Sequence, residues 1–120
     1  FRIRIFGVNT AESINGEMNV LQFMDSLKFK TMPKDLSTEA LKALWLAGSG
    51  DWEGAHAIAQ DMPGVMGSWI HAYLHREEGD YWNAEYWYNR AGKPFPKCDV
   101  KDEFKILVKA GLAPLSEGFN

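Results

Sequence analysis

The feature that most narrows the fold is an internal repeat. Gly79-Asp80-Tyr81 follows Gly50-Asp51-Trp52 at a shift of 29 residues, and the same shift sets Ile70 on Leu41, Ala72 on Ala43, Tyr73 on Leu44 and Ala84 on Ala55. A unit of this length buries its apolar face only against a neighbouring unit. The pattern within each unit is helical. Leu41, Leu44 and Trp45 precede the first Gly-Asp, and Trp52, Ala55, Ala59 and Met62 form one stripe after it, with Ile58 at its edge. Asp51 is placed to cap free N–H groups, with Glu53 in the first turn. The methyl groups of Ala55 and Ala84 let a paired helix approach closely. The short connections favour antiparallel neighbours. Two tandem antiparallel helical hairpins are therefore expected, over residues 37–62 and 66–91.

Punctuation supports four helices here. Ser37-Thr38-Glu39 opens the first, which should stop near Gly48, and Pro63-Gly64 separates the hairpins. The third runs from about Val65 to Glu78, and the fourth ends at Ala91 before Gly92 and Pro94. Flanking helices are expected at both ends. Val20, Leu21, Met24 and Leu27 recur at helical spacing between Met18 and Phe29. Phe104, Leu107 and Val108 do so between Lys101 and Ala110, a helix expected to cap the open end of the second hairpin. The fold expectation is all-α, a single helical domain over residues 18–112. Residues 1–17 form an N-terminal arm or extension, β-like at its start, and 113–120 a tail. Met18 offers a natural start. Phe1, Ile3, Ile5 and Phe6 could dock the arm on a second subunit, so the expected state is a monomer or weak homodimer.

Charge and composition remove several function classes. Net charge is -3 with both signs interspersed, and Lys28, Lys30 and Lys34 are neighboured by Asp25 and Asp35. No basic face able to neutralise several phosphates results, so nucleic acid is not an expected partner. No apolar run approaches the roughly 18 residues a membrane span needs, and FRIRIFGVNT lacks the apolar block of a secretory signal. The single cysteine, Cys98, excludes an internal disulfide and a Cys-rich metal site. A reducing, cytoplasmic setting is the matching expectation.

The run Gly79-Asp80-Tyr81-Trp82-Asn83-Ala84-Glu85-Tyr86-Trp87-Tyr88-Asn89-Arg90-Ala91 resembles the second helix of a tetratricopeptide-type or Sel-like hairpin. Gly-Asp, a small residue and a terminal Arg-Ala recur there, and Gly50 to Met62 resembles it more weakly. The repeat is shorter than the family's roughly 34 residues, and only two copies exist. Trp69-Ile70-His71-Ala72-Tyr73-Leu74-His75-Arg76, with Glu78-Gly79-Asp80 and Tyr86 to Gly92, is also similar to a small family of uncharacterised helical proteins. That resemblance spans roughly 18–110 and implies no activity.

Two sets of residues invite chemistry. His71 and His75 share one face of the third helix, which the helical wheel sets opposite the Trp69–Tyr73 stripe and away from the paired helix. Two histidines at this spacing suit a metal ion only with a third ligand, for which His56, Asp61 and Glu78 are the candidates. The Glu of a His-Glu-x-x-His protease is missing, because Ala72 follows His71. No metal and no cofactor are expected unless the three histidines converge. The fourth helix carries aromatics all round. Tyr81, Ala84, Trp87, Tyr88 and Ala91 form the inward group. Trp82, Tyr86, Asn89 and Arg90 face the other way, and are either covered by a flanking helix or line a groove. The favoured packing covers them; the binding alternative joins them with His71 and His75. No phosphate loop, nucleophile elbow or Cys-His pair is present, and Glu77, Glu78 and Asp80 read as solvation and capping. The function expected is a small helical interaction or ligand-binding module without catalytic activity, taking a protein or small-molecule ligand. The alternatives are a metal-dependent or histidine-based hydrolytic enzyme using His71 and His75, and a purely structural protein.

Overall fold

A computed structural model describes residues 18–113. The N-terminal arm, with Phe1, Ile3, Ile5 and Phe6, and residues 114–120 of the tail lie outside the described residues. Those described form six helices and no strand: α1 (Val20–Lys28), α2 (Glu39–Gly48), α3 (Trp52–Asp61), α4 (Gly64–Glu77), α5 (Tyr81–Ala91) and α6 (Val100–Leu112). The all-α expectation holds.

Local chemistry sets the helix ends. Asn19 and Gln22 close a reciprocal capping box at the start of α1. The side chains of Thr38, Asp51, Asp80 and Asp99 each accept from a backbone N–H in the first turn of α2, α3, α5 and α6. Pro63 separates α3 from α4, and Gly92, in the left-handed conformation, ends α5.

The repeat is structural as well as sequential. In the first turn, Asp51 N–H donates to Leu46 O (2.8 Å) and Gly50 N–H to Ala47 O (3.2 Å); in the second, Asp80 N–H donates to His75 O (2.9 Å) and Gly79 N–H to Arg76 O (3.0 Å). Every partner is displaced by the same 29 residues. The capping aspartates share one conformation, φ -94, ψ 77 and φ -90, ψ 76. Gly50 and Gly79 reach φ 96 and 88, a region that disfavours a Cβ, so the turn requires glycine in both copies. Each turn folds a hairpin, α2 on α3 and α4 on α5, and α3 packs on α4 to join them. Ala55 and Ala84 are completely buried.

The flanking helices pack differently from the sequence expectation. Instead of capping the open end of the second hairpin, α6 lies across α2 and α4, the first helices of both hairpins, and against α1. Phe104 meets Phe23 (ring centroids 6.5 Å) and Tyr73 (5.8 Å). Trp45 Nε1–H donates to Ser26 Oγ, tying α1 to α2 (2.9 Å). The physical reason lies in α4, which is buried on nearly every side from Ile70 to His75. Its Tyr73 edge needs a cover that α5 does not supply. The side of α2 and α4 that faces α6 is thereby filled, and Tyr81, Trp82 and Tyr86 of α5 stay exposed.

Candidate functional sites

The outward face of α5 is uncovered. Trp82 is 88% exposed and Tyr86 53%, with Asn89 and Arg90 also exposed. The expected packing of a flanking helix over this face is overturned, because α1 and α6 are used elsewhere. Trp82 and Tyr86, one helical turn apart, line a shallow open depression with Asn83, Glu85 and Asn89. Arg90 stands at its edge, over the rings of Tyr86 (6.0 Å) and Trp87 (5.3 Å). The inward group is Ala84, Tyr88 and Ala91, with Trp87 partly buried. Tyr81 departs from its expected place. It is 61% exposed, standing at the helix start beside the edge of Phe95.

His71 and His75 do not belong to that face. Both are buried, at 5% and 7% exposure, contrary to the wheel reading that turned them away from the core. The wheel considers one partner helix, whereas α4 has four: α5, α6, α2, and α3 of the preceding hairpin on the histidine side. His56 on α3 completes the set. Its ring centroid lies 4.5 Å from that of His71 and 5.3 Å from that of His75, and His71 lies 5.0 Å from His75. One ring nitrogen from each falls within 4.8 Å of the other two. Aromatic planes hold the outer faces: Trp52 stacks on His56 (4.8 Å) and Trp87 on His71 (3.9 Å). Trp52 is fixed by its own Nε1–H, which donates to Leu74 O (2.8 Å).

The polar atoms of this cluster are unequally satisfied. His75 Nδ1 lies 2.9 Å from Glu78 Oε2; a carboxylate only accepts, so Nδ1 carries the proton. His71, though buried, has no hydrogen-bond partner among the described residues. Burial, reinforced by the facing charges of His56 and His75, pushes the His71 pKa down to about 4. Burial and His75 lower that of His56, against smaller opposing effects from Glu53 and Glu78. Of the candidate third ligands, the structure brings His56 to the pair and sets Glu78 behind His75, while Asp61 joins no such group.

A second buried polar group went unnoticed in the sequence. Glu103 of α6 is 2% exposed, and its carboxylate accepts from Tyr88 Oη (2.6 and 2.8 Å), Arg76 Nη1 (2.8 Å) and Trp69 Nε1 (3.1 Å). Arg76 also donates to Cys98 O. Burial, then the bond to Glu103, raises the Tyr88 pKa. With every partner occupied, this clasp is structural: it fastens α6 and the loop before it to the second hairpin. The available signal was spacing, since Glu103 stands four residues before Leu107 on the buried stripe of α6. No helix among the described residues is long and apolar enough to cross a membrane. No family model, curated protein or solved structure matches this chain, so any functional reading rests on the geometry above.

Proposed function

We propose that the chain is a protein-binding module built on two helical hairpins of the tetratricopeptide type, with the outward face of α5 as its capture surface. One observation carries the reading. Moved back by the repeat length, Trp82, Tyr86, Asn89 and Arg90 fall on Glu53, Ala57, Gln60 and Asp61, which are exposed on α3 just as their counterparts are on α5. The scaffold thus tolerates ordinary solvent-facing residues at these positions. Aromatics left in water there cost solubility without adding to the core, which argues that they serve a partner. Rigid aromatic side chains with Arg beside them concentrate binding energy once desolvated.

The occupant is a segment of another protein. The depression is open and shallow, whereas small-molecule sites enclose most of their ligand. Glu85 inside it, and the chain's negative charge, oppose a phosphate backbone. An apolar side chain of the partner would seat between Trp82 and Tyr86, with the exposed amide of Asn89 beside its backbone, the Asn83 amide being engaged by Asp80. The test is a photo-crosslinker installed at Asn83 of the whole protein. A saturable cross-linked product is expected, suppressed by excess unlabelled wild type and not by Trp82→Ala. Equal suppression by both competitors, or a Trp82→Ala protein that melts far below wild type, would refute the reading.

A further inference from the structure

The histidine cluster is best understood by asking why three imidazoles meet between two hairpins. Packing alone does not need them, because apolar rings of the same size would fill the seam without burying polar nitrogens. A buried polar group lacking a partner destabilises a fold, and His71 has none among the described residues while being only 5% exposed. We propose that His56, His71 and His75 form a site for a divalent transition-metal ion, zinc being the expected occupant.

Four features support the assignment. Three imidazole nitrogens suit zinc and its neighbours in the series, and would poorly suit magnesium or calcium, which take oxygen ligands. The nitrogens already lie within 4.8 Å of one another, and tetrahedral zinc places its nitrogen ligands about 3.4 Å apart, a closure that small side-chain rotations supply. Glu78 holds Nδ1 of His75, leaving Nε2 to ligate, which is the carboxylate-histidine arrangement that fixes tautomer and ring orientation at metal sites. Trp52 and Trp87, stacked on the flanking rings, restrict His56 and His71 to the converging orientation. His56 is only partly buried, so the cluster is reachable from solvent on its side. An ion there would join α3 to α4, the contact between the hairpins, and add a fixed positive charge behind Trp87. The site is independent of the binding reading for α5.

Zinc itself is the probe. Untagged full-length protein, stripped with a chelator, is titrated with Zn²⁺ by calorimetry, and with Co²⁺ by visible absorption, which reports the geometry of the ligand set. One equivalent should bind, cobalt should show tetrahedral bands, and the melting temperature should rise with metal concentration because the unfolded chain lacks the site. His56→Ala, at a partly buried position, should abolish the stoichiometric binding while the circular dichroism stays unchanged. Glu78→Ala should weaken affinity roughly 10–100-fold. Trp82→Ala should bind zinc as wild type does, separating this site from the α5 surface. Failure of wild type to take up one equivalent would overturn the proposal. So would uptake that survives both His56→Ala and His75→Ala, since the ion would then sit elsewhere.

Discussion

The two hairpins share a frame and differ in almost everything they present. Their turns have the same hydrogen bonds, the same glycine conformation and the same capping aspartate, and each buries one alanine at the helix crossing. Beyond that, matched positions diverge sharply. Where the second hairpin has Trp69, Arg76 and Tyr88 clasping Glu103, the first has Ala40, Ala47 and Ala59. Where the second has His71 and His75, the first has Lys42 and Leu46. Repetition therefore dictates the crossing and the turn, and leaves the seams and outer faces free to specialise. The two buried histidines and the three side chains that bind Glu103 all lie in the second copy.

The largest expected effect comes from breaking the clasp. Glu103→Ala strands the buried Arg76 guanidinium, and loss of one partner of a buried ion pair costs about 3–5 kcal/mol. Chemical denaturation should show that loss, and Arg76→Met/Glu103→Leu/Tyr88→Phe together should recover much of it. A clasp that could be deleted for under about 1 kcal/mol would leave the second hairpin no more dependent on α6 than the first, against the expectation for a buried pair.

Next in size is a pH effect on metal-free protein. The folded His71 pKa of about 4 lies below its ordinary 6.5, so the unfolded chain binds more protons between those values. Stability is complete above pH 6.5 and falls as pH drops towards 4, by on the order of 3 kcal/mol. Around this ring His56 of α3 and His75 of α4 both add to the lowering by burial, while Glu53 and Glu78 act in the opposite sense on His56. His71→Phe should flatten the slope, measured by urea unfolding at steps between pH 7 and 4 in chelator. An unchanged slope would mean that His71 titrates alike in both states.

Crowding the helix crossings should hurt both copies equally. Ala55→Leu and Ala84→Leu each insert a branched side chain where no surface is accessible, at about 1–3 kcal/mol apiece. Thermal melts that differ widely between the two variants would show that the shared frame is less symmetric than its backbone.

What the sequence disclosed and what it hid divide along the same line. Thr38, Asp51, Asp80 and Gly92 mark helix ends through bonds to residues three or four places away, so helix boundaries were readable within a residue or two. The alanines and the Gly-Asp turn repeat visibly, so the hairpins were too. His71 and His75 were misplaced because their burial depends on α3, the last helix of the preceding hairpin, which a single-helix wheel omits. Glu103 was overlooked because its partners come from two other helices, 15 to 34 residues away. The position of α6 escaped for the same reason: one apolar stripe fits several neighbours. Trp82 and Tyr86 were identified as the outward residues of α5, and only their surroundings decide whether a face is covered.

The smallest effect on stability is the sharpest test of function. Replacing Trp82 with Glu and Tyr86 with Ala gives α5 the residues that α3 carries at the matched positions. Both side chains are more than half exposed, and surface changes away from caps and buried networks usually stay within about 0.5 kcal/mol. The melting temperature and helical signal should therefore match wild type, because the first hairpin already folds with this face. Capture of the partner segment in the cross-linking assay should disappear. The reciprocal change, Glu53→Trp with Ala57→Tyr, should fold equally well, yet lack the arginine and asparagine that flank the aromatics on α5. If that graft captured the same partner as α5 does, exposed aromatics alone would suffice and the surface would have no specificity. Capture by α5 alone would show that the second copy's outer face has been shaped for one.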